Sequence, residues 1–157
     1  MRTLIAFGTK TGTTRKCAQI LQKKLGFGDI ADVSLPLPPL SQYDLIIVGG
    51  PIRMGKLDKS VRKFIDDNRE LLKSKKTAYY ICSGLPGRDK ENLKQAYSDE
   101  LLDRAITSRG FGGELDSEKL RGLDRFIAKM AAKNNGKPAI SEEDIDIFAK
   151  IILRKTA

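Results

Sequence analysis

Threonine hydroxyls gathered around a glycine at the mouth of a helix make a site for a phosphate. The chain carries such a set in Thr9, Lys10, Thr11, Gly12, Thr13 and Thr14. The first backbone N–H groups of a helix have no partner within it and stand at the positive end of its dipole, so an anion satisfies both needs. Gly12 lets the backbone approach closely, and the hydroxyls of Thr9, Thr11, Thr13 and Thr14 add neutral donors. The spacing narrows the chemistry. A nucleotide-hydrolysing loop, G-x-x-x-x-G-K-[ST], needs a lysine after its second glycine; here Lys10 precedes Gly12 and Thr13 follows it. Gly8 and Gly12 also lack the third glycine of a dinucleotide fingerprint. What remains is a loop for one phosphate monoester, with a plain strand-to-helix turn capped by threonines as the alternative.

A second group is Gly50, Pro51, Ile52, Arg53, Met54 and Gly55, which follows a long apolar run. An arginine there could favour negative charge on a bound ring system or grip a carboxylate with two parallel hydrogen bonds, and the plainer alternative is a surface arginine paired with an acid. A third is Ser83, Gly84 and Leu85, continuing through Pro86 and Gly87. Lys10 and Arg15 flank the first loop, either as counter-charges to a phosphate or as solvated cations. Cys17 and Cys82 make neither a disulfide framework nor a zinc pattern, and read as reduced core residues. The chain has no histidine, which removes Ser-His and Cys-His nucleophiles and histidine metal sites. The chemistry must therefore come largely from a cofactor.

Those groups need a frame to bring them together. Residues 3–7 read as a strand, followed by a helix with Cys17, Ala18, Leu21 and Leu25 inward. Residues 30–35 read as a second strand broken by Pro36, Pro38 and Pro39, and 43–50 as a strand buried on both faces. Leu57, Val61, Phe64, Ile65, Leu71 and Leu72 recur at helical spacing; 77–82 is a fourth strand, 89–107 a helix and 111–115 a short fifth strand. Ser141, Glu142, Glu143 and Asp144 open a last helix as a capping box. Alternating strands and helices predict an α/β fold: a doubly wound five-stranded parallel sheet with helices on both faces. In such sheets ligands sit at the carboxyl ends of the strands, where the loops 8–14, 49–56 and 83–89 emerge, each rich in glycine where a close ligand would require it.

The length of 157 residues fits a single domain, with a basic insertion at about 117–136. No run is long enough to span a membrane and the N-terminus does not read as a signal peptide, so a cytoplasmic protein is expected. The net charge of +9, from 29 basic and 20 acidic residues, favours acidic ligands or partners. Nucleic acid is not expected, because the charges are spread along the chain and no nucleic-acid-binding motif occurs. In the insertion, Leu123, Phe126, Ile127, Met130 and Ala131 line one helical face and Arg121, Arg125, Lys129 and Lys133 recur every four residues. Such a helix either lies on an anionic membrane surface, where a quinone would be met, or packs on the domain or on a second subunit.

The loop Thr9-Lys10-Thr11-Gly12-Thr13-Thr14 resembles the T-x-T-G-x-T loop with which flavodoxins hold the phosphate of flavin mononucleotide (FMN). Tyr43-Asp44 followed by Ile46-Ile47-Val48-Gly49-Gly50-Pro51-Ile52-Arg53-Met54-Gly55 looks like the second flavin loop of the flavodoxin-like subfamily that contains the quinone-dependent protoporphyrinogen dehydrogenase. Leu123-Asp124-Arg125-Phe126-Ile127-Ala128-Lys129-Met130 is similar to the basic insertion of that subfamily. The resemblance implies a flavodoxin-like fold and an FMN cofactor. Its phosphate would be held by residues 9–14 and its ring by Gly50, Pro51, Ile52, Arg53, Met54, Gly55, Ser83, Gly84 and Leu85. It further implies a heme-biosynthetic oxidation of a tetrapyrrole, with electrons passed to a quinone, Arg53 acting at the flavin, and Lys56 and Arg88 steering substrate carboxylates. The alternative is a one-electron carrier between redox proteins. Carriers of this kind tend to be acidic, and the basic charge here favours the enzyme. One departure stands out: the loops 49–56 and 83–89 contain no aromatic residue to stack on the ring, which leaves Ile52, Met54 and Leu85 to cover it and keeps open a module without flavin.

Overall fold

A computed structural model describes residues 1–85, 87–113 and 139–157. The basic insertion at about 117–136 lies outside the described residues. The first strand, β1 (Thr3–Phe7), is buried throughout because its side chains serve two cores at once: Leu4 and Ala6 point to one face of the sheet, Ile5 and Phe7 to the other. A strand covered on both sides needs an unbroken apolar run, and this one has it.

Helix α1 (Thr13–Leu25) buries Cys17, Ala18, Leu21 and Leu25, and ends on Gly26 at φ 81°. Then follow β2 (Asp29–Asp32), β3 (Leu45–Arg53), β4 (Lys56–Leu57), α2 (Lys59–Asp67), α3 (Arg69–Ser74) and β5 (Lys76–Cys82). The chain closes with α4 (Asp89–Arg104), β6 (Ser108–Gly110) and α5 (Glu142–Thr156). The strand order is β2-β1-β3-β5-β6, with all four pairings parallel and β4 folding back antiparallel onto β3. Helices α1 and α5 cover one face; α2, α3 and α4 cover the other. The chain leaves β1 for β2 on one side and returns for β3 on the other, so the connections part above β1 and β3 and leave a crevice between them.

Several boundaries differ from the sequence reading, each for a local reason. The second strand stops at Asp32 rather than 35, because the Asp32 carboxylate accepts from the N–H and hydroxyl of Ser34 and turns the chain. The third strand begins at Leu45 and runs on through Gly49 and Gly50 to Arg53, since the ladder to β5 continues as far as Pro51 opposite Cys82. The helix expected over 57–72 is a strand residue, Leu57, and two helices parted at Asn68, whose side-chain amide donates to the Phe64 carbonyl. Helix α4 is kinked at Ser98 (φ 64°, ψ 154°) and ends at Arg104. The strand expected over 111–115 lies three residues earlier, at Ser108–Gly110; Phe111 instead turns into the core against Tyr80. Ser141 caps α5 as expected, its hydroxyl accepting from the Asp144 N–H.

The segment expected as a second loop is a β-hairpin. Arg53 pairs with Lys56, leaving Met54 (φ 53°) and Gly55 (φ 77°) as a two-residue turn. Positive φ at both positions is the type I′ turn, which favours Asn-Gly. Met54 is 57% exposed, so little burial offsets its left-handed backbone. Met54→Asn is expected to stabilise the protein by about 1 kcal/mol, readable as a raised midpoint in thermal unfolding; an unchanged midpoint would mean that the turn carries no such cost.

Candidate functional site

Three segments leave the sheet along one edge. Phe7, Gly49 and Tyr80 lie in one row across β1, β3 and β5, so the residues that follow each emerge side by side. The Gly8 N–H donates to the Gly49 carbonyl at 3.1 Å, which pins the first segment to β3 just before it departs. A side chain on Gly8 would meet Val61 Cγ2 at 2.4 Å and Ser60 Oγ at 2.8 Å, so the start of α2 closes that side.

The first segment is shaped as a cradle. Gly12 takes φ +96° and its N–H donates to Thr9 Oγ1 at 2.9 Å, folding the loop over the start of α1. No side chain caps α1 and no acid lies in its first turn, so the positive end of the helix is left for another partner. Nothing lies within 4 Å of where a Cβ on Gly12 would stand. The Thr14 hydroxyl is buried beside the Cys82 sulfur and has no oxygen or nitrogen partner among the described residues. A buried hydroxyl and an uncapped helix start are costly unless something completes them. A phosphate monoester supplies what both lack, and the donor set of neutral hydroxyls and backbone N–H groups suits it.

The two basic residues beside the cradle behave differently. Lys10 is exposed at its rim. Arg15 turns away: it pairs with Asp32 at 3.3 Å and its guanidinium sits 5.0 Å from the centre of the Phe7 ring. It ties α1 to the end of β2.

Leading into the hairpin, Gly49 and Gly50 let neighbouring side chains pack against the strand. A Cβ on Gly49 would lie 1.9 Å from the Tyr80 ring, and one on Gly50 2.7 Å from Leu57 Cδ1. Pro51 accepts from the Asp58 N–H, Ile52 is buried, Arg53 is half-buried, and Met54 and Gly55 form the tip. In the third segment the Ser83 N–H donates to the Gly112 carbonyl at 2.9 Å and the Leu85 N–H to Ser83 Oγ at 3.3 Å, so Ser83, Gly84 and Leu85 make a tight turn at the end of β5. Behind it, burial raises the Asp89 carboxyl above its ordinary range and the nearby Asp144 adds to the effect. Asp144 itself pairs with Arg109 at 2.8 Å.

Two residues that the sequence left as anonymous core hold this edge in place. Tyr80 is fully buried, stacks on Phe111 with ring centres 4.5 Å apart, and donates to the Thr14 carbonyl at 3.3 Å. Tyr97 donates to the Tyr80 carbonyl at 2.6 Å. Burial pushes both phenols well above their ordinary range, so they stay neutral donors. A tyrosine at strand or helix spacing is ordinary core, and only the packing of α1 and α4 on β5 reveals what its hydroxyl reaches.

A doubly wound parallel sheet with an uncapped, hydroxyl-lined helix start at the β1/β3 crevice defines a mononucleotide-binding α/β protein. Residues 4–141 match the flavodoxin domain family, and the chain belongs to that family. It is 29% identical over 150 residues to the protoporphyrinogen IX dehydrogenase [quinone] of Escherichia coli K12, covering 87% of this chain and 81% of the relative. It is also 29% identical over 155 residues to the flavodoxin of Picosynechococcus sp. PCC 7002, covering 90% of each. Oxidised flavodoxin 2 from Bacillus cereus shares the fold at a TM-score of 0.63 and 18% identity, over 99% of each chain. A flavoprotein from Lactobacillus acidophilus NCFM in complex with FMN does so at a TM-score of 0.55 and 16% identity, over 69% of this chain and 92% of the other. These similarities agree with the fold and with the cofactor expected from the loop. Among the described residues, no helix is long and apolar enough to cross a membrane.

Proposed function

We propose that this protein binds FMN at the β1/β3 crevice and is an FMN-dependent oxidoreductase. The observation that carries the reading is the start of α1, which no side chain caps and no acid approaches, folded under the Gly12 turn. The hydroxyls of Thr9, Thr11, Thr13 and Thr14 and the first N–H groups of α1 hold the phosphate, with Gly12 keeping the approach open and Lys10 at the rim. The segments Gly50, Pro51, Ile52, Arg53, Met54, Gly55 and Ser83, Gly84, Leu85 flank the ring; Met54 and Leu85 supply the apolar contact that stacking aromatics would otherwise give, while the Ile52 side chain, expected to share it, packs into the core instead. When bound, FMN supplies reversible one- and two-electron transfer, including hydride acceptance.

Arg53 has the task of favouring the negative charge that the ring gains on reduction. Arg53→Met is expected to lower the FMN midpoint potential by about 30 mV, the equivalent of roughly 1.4 kcal/mol for a two-electron couple. Potentiometric titration of both proteins measures it, and equal midpoints would remove Arg53 from this role.

The substrate we propose is a reduced molecule bearing carboxylates, steered by the exposed Lys56 and Arg88 beside the hairpin and third segment. The similarity to a protoporphyrinogen dehydrogenase supports a tetrapyrrole donor and a quinone acceptor. A second reading, a carrier of single electrons between proteins, is supported by the similarity to a cyanobacterial flavodoxin. Charge weighs against it: a net +9 suits acidic ligands and a less negative flavin potential. The decisive experiment is the visible spectrum of the protein after incubation with FMN and desalting, followed by anaerobic assay of protoporphyrinogen with a quinone acceptor. Retained flavin and quinone reduction support the enzyme; retained flavin with no turnover favours the carrier; a colourless protein overturns both.

A further inference from the structure

Cys17 lies on the inner face of α1, one turn beyond Thr13 and Thr14, and Cys82 ends β5 immediately before Ser83. The two sulfurs are 3.4 Å apart, both residues are buried, and neither takes part in the redox chemistry proposed above. Contact with Cys17, reinforced by burial, pushes the Cys82 thiol well up, so Cys82 rests as a neutral thiol that donates to the Cys17 sulfur. Tyr80, whose hydroxyl holds the Thr14 carbonyl, belongs to the same packed cluster as both cysteines. The dithiol therefore sits under the joint between the phosphate cradle and the third segment.

We infer that Cys17 and Cys82 are an oxidisable pair whose disulfide loosens the hold on FMN. With hydrogen peroxide as the oxidant, one sulfur attacks a peroxide oxygen and the O–O bond breaks. This leaves a sulfenic acid and hydroxide, which takes the thiol proton as water. The second sulfur then attacks the sulfenic sulfur: an S–S bond forms, the S–O bond breaks, and a second water leaves with the remaining thiol proton. Two thiols lose two electrons and peroxide gains them. An S–S bond is about 2.05 Å long, so the sulfurs must close from 3.4 Å by more than a hydrogen-bond cradle tolerates. Protein cores transmit such movement rather than absorb it. The first turn of α1 shifts against β5, and the donors set by Thr13 and Thr14 leave their places.

This inference rests on the cradle being the FMN phosphate site, and the test separates the two. The FMN-free protein is treated with hydrogen peroxide and examined by intact mass, by thiol titration in denaturant, by hydrogen exchange at residues 16–19, the first amides of α1 with a carbonyl partner, and by FMN titration. The expected result is loss of both free thiols, a mass lower by two hydrogens, faster exchange at 16–19 and at least about a tenfold rise in the FMN Kd, as for losing one hydrogen bond to a charged group. All of these reverse with dithiothreitol. Cys17→Ser and Cys82→Ser, made singly, should show no loss of two hydrogens and no change in exchange. Persistence of both thiols, or a mass gain of oxygen alone, overturns the dithiol; a disulfide that leaves exchange and FMN affinity unchanged overturns its link to the site. Failure of the reduced protein to bind FMN would count against the cofactor reading instead, with mass and exchange still deciding the dithiol.

Discussion

Thr11→Asp is expected to raise the Kd for FMN by about two orders of magnitude and to leave the fold intact. Thr11 is half-exposed, just ahead of Gly12, and lies outside both packed cores. A carboxylate there faces the free N–H groups of an uncapped helix, which for the protein alone is favourable by roughly 0.3–1 kcal/mol. For the phosphate it is the reverse. The new charge would compete for the donors that the phosphate needs and repel it; at a separation of about 4 Å two unit charges interact by about 4 kcal/mol at an effective dielectric of 20. Even after solvent weakens that figure, two orders of magnitude, or about 2.7 kcal/mol, remain. The two signs make the test specific: thermal unfolding without FMN should be unchanged or slightly later, while flavin titration shows the loss. Salt should narrow the gap between variant and parent, since part of the effect is screened over about 10 Å at 0.1 M. Equal affinities would place the phosphate elsewhere.

What the sequence disclosed, and what it hid, follows from the range of the forces involved. The cradle was legible because it is local: strand, Gly12, threonines and amphipathic helix are contiguous, and the chemistry of a helix start depends only on its neighbours. The parallel frame was legible because runs such as Ile46, Ile47 and Val48 have no polar face and so demand cover on both sides. The hairpin at Met54 and Gly55 was not, since its pairing is decided by β4 meeting β3 and nothing in Pro51-Ile52-Arg53 announces a strand. What the glycines pack against was hidden for the same reason. The side-chain positions of Gly49 and Gly50 are filled by Tyr80 and by Leu57 and Val61, residues seven or more positions away that the fold brings alongside. Arg15 belongs with them, as its partners Asp32 and Phe7 come from two other strands. Short-range order showed which residues could bind; long-range packing determined which of them are already occupied.

That packing makes Gly49→Ala the variant with the largest expected loss of stability. An added Cβ would stand 1.9 Å from Tyr80 Cζ and 2.2 Å from Cε1, well inside any tolerable contact. The ring has nowhere to retreat: it stacks on Phe111 at 4.5 Å, meets Phe148 edge-on at 6.2 Å, and its hydroxyl is engaged with the Thr14 carbonyl. Nor does β3 yield, because it is hydrogen-bonded to β1 on one side and to β5 on the other. Overpacking of this kind costs about 3 kcal/mol or more, a large share of the 5–15 kcal/mol that separates a typical domain from its unfolded chain. Gly55→Ala is the control for backbone effects: its φ of +77° is unfavourable to alanine but nothing lies within 4 Å of the new carbon, so only about 1–2 kcal/mol is at stake. Denaturant unfolding of both variants ranks them. A double variant, Gly49→Ala with Tyr80→Ala, is expected to lose less than the sum of the single losses, because removing the ring opens the space that the added methyl needs and the methyl fills part of the cavity that the ring leaves. Pushing Tyr80 aside also frees the Thr14 carbonyl it holds, so any Gly49→Ala protein that does fold should bind FMN more weakly than its parent, coupling a methyl group in the middle of the sheet to the phosphate cradle at its edge.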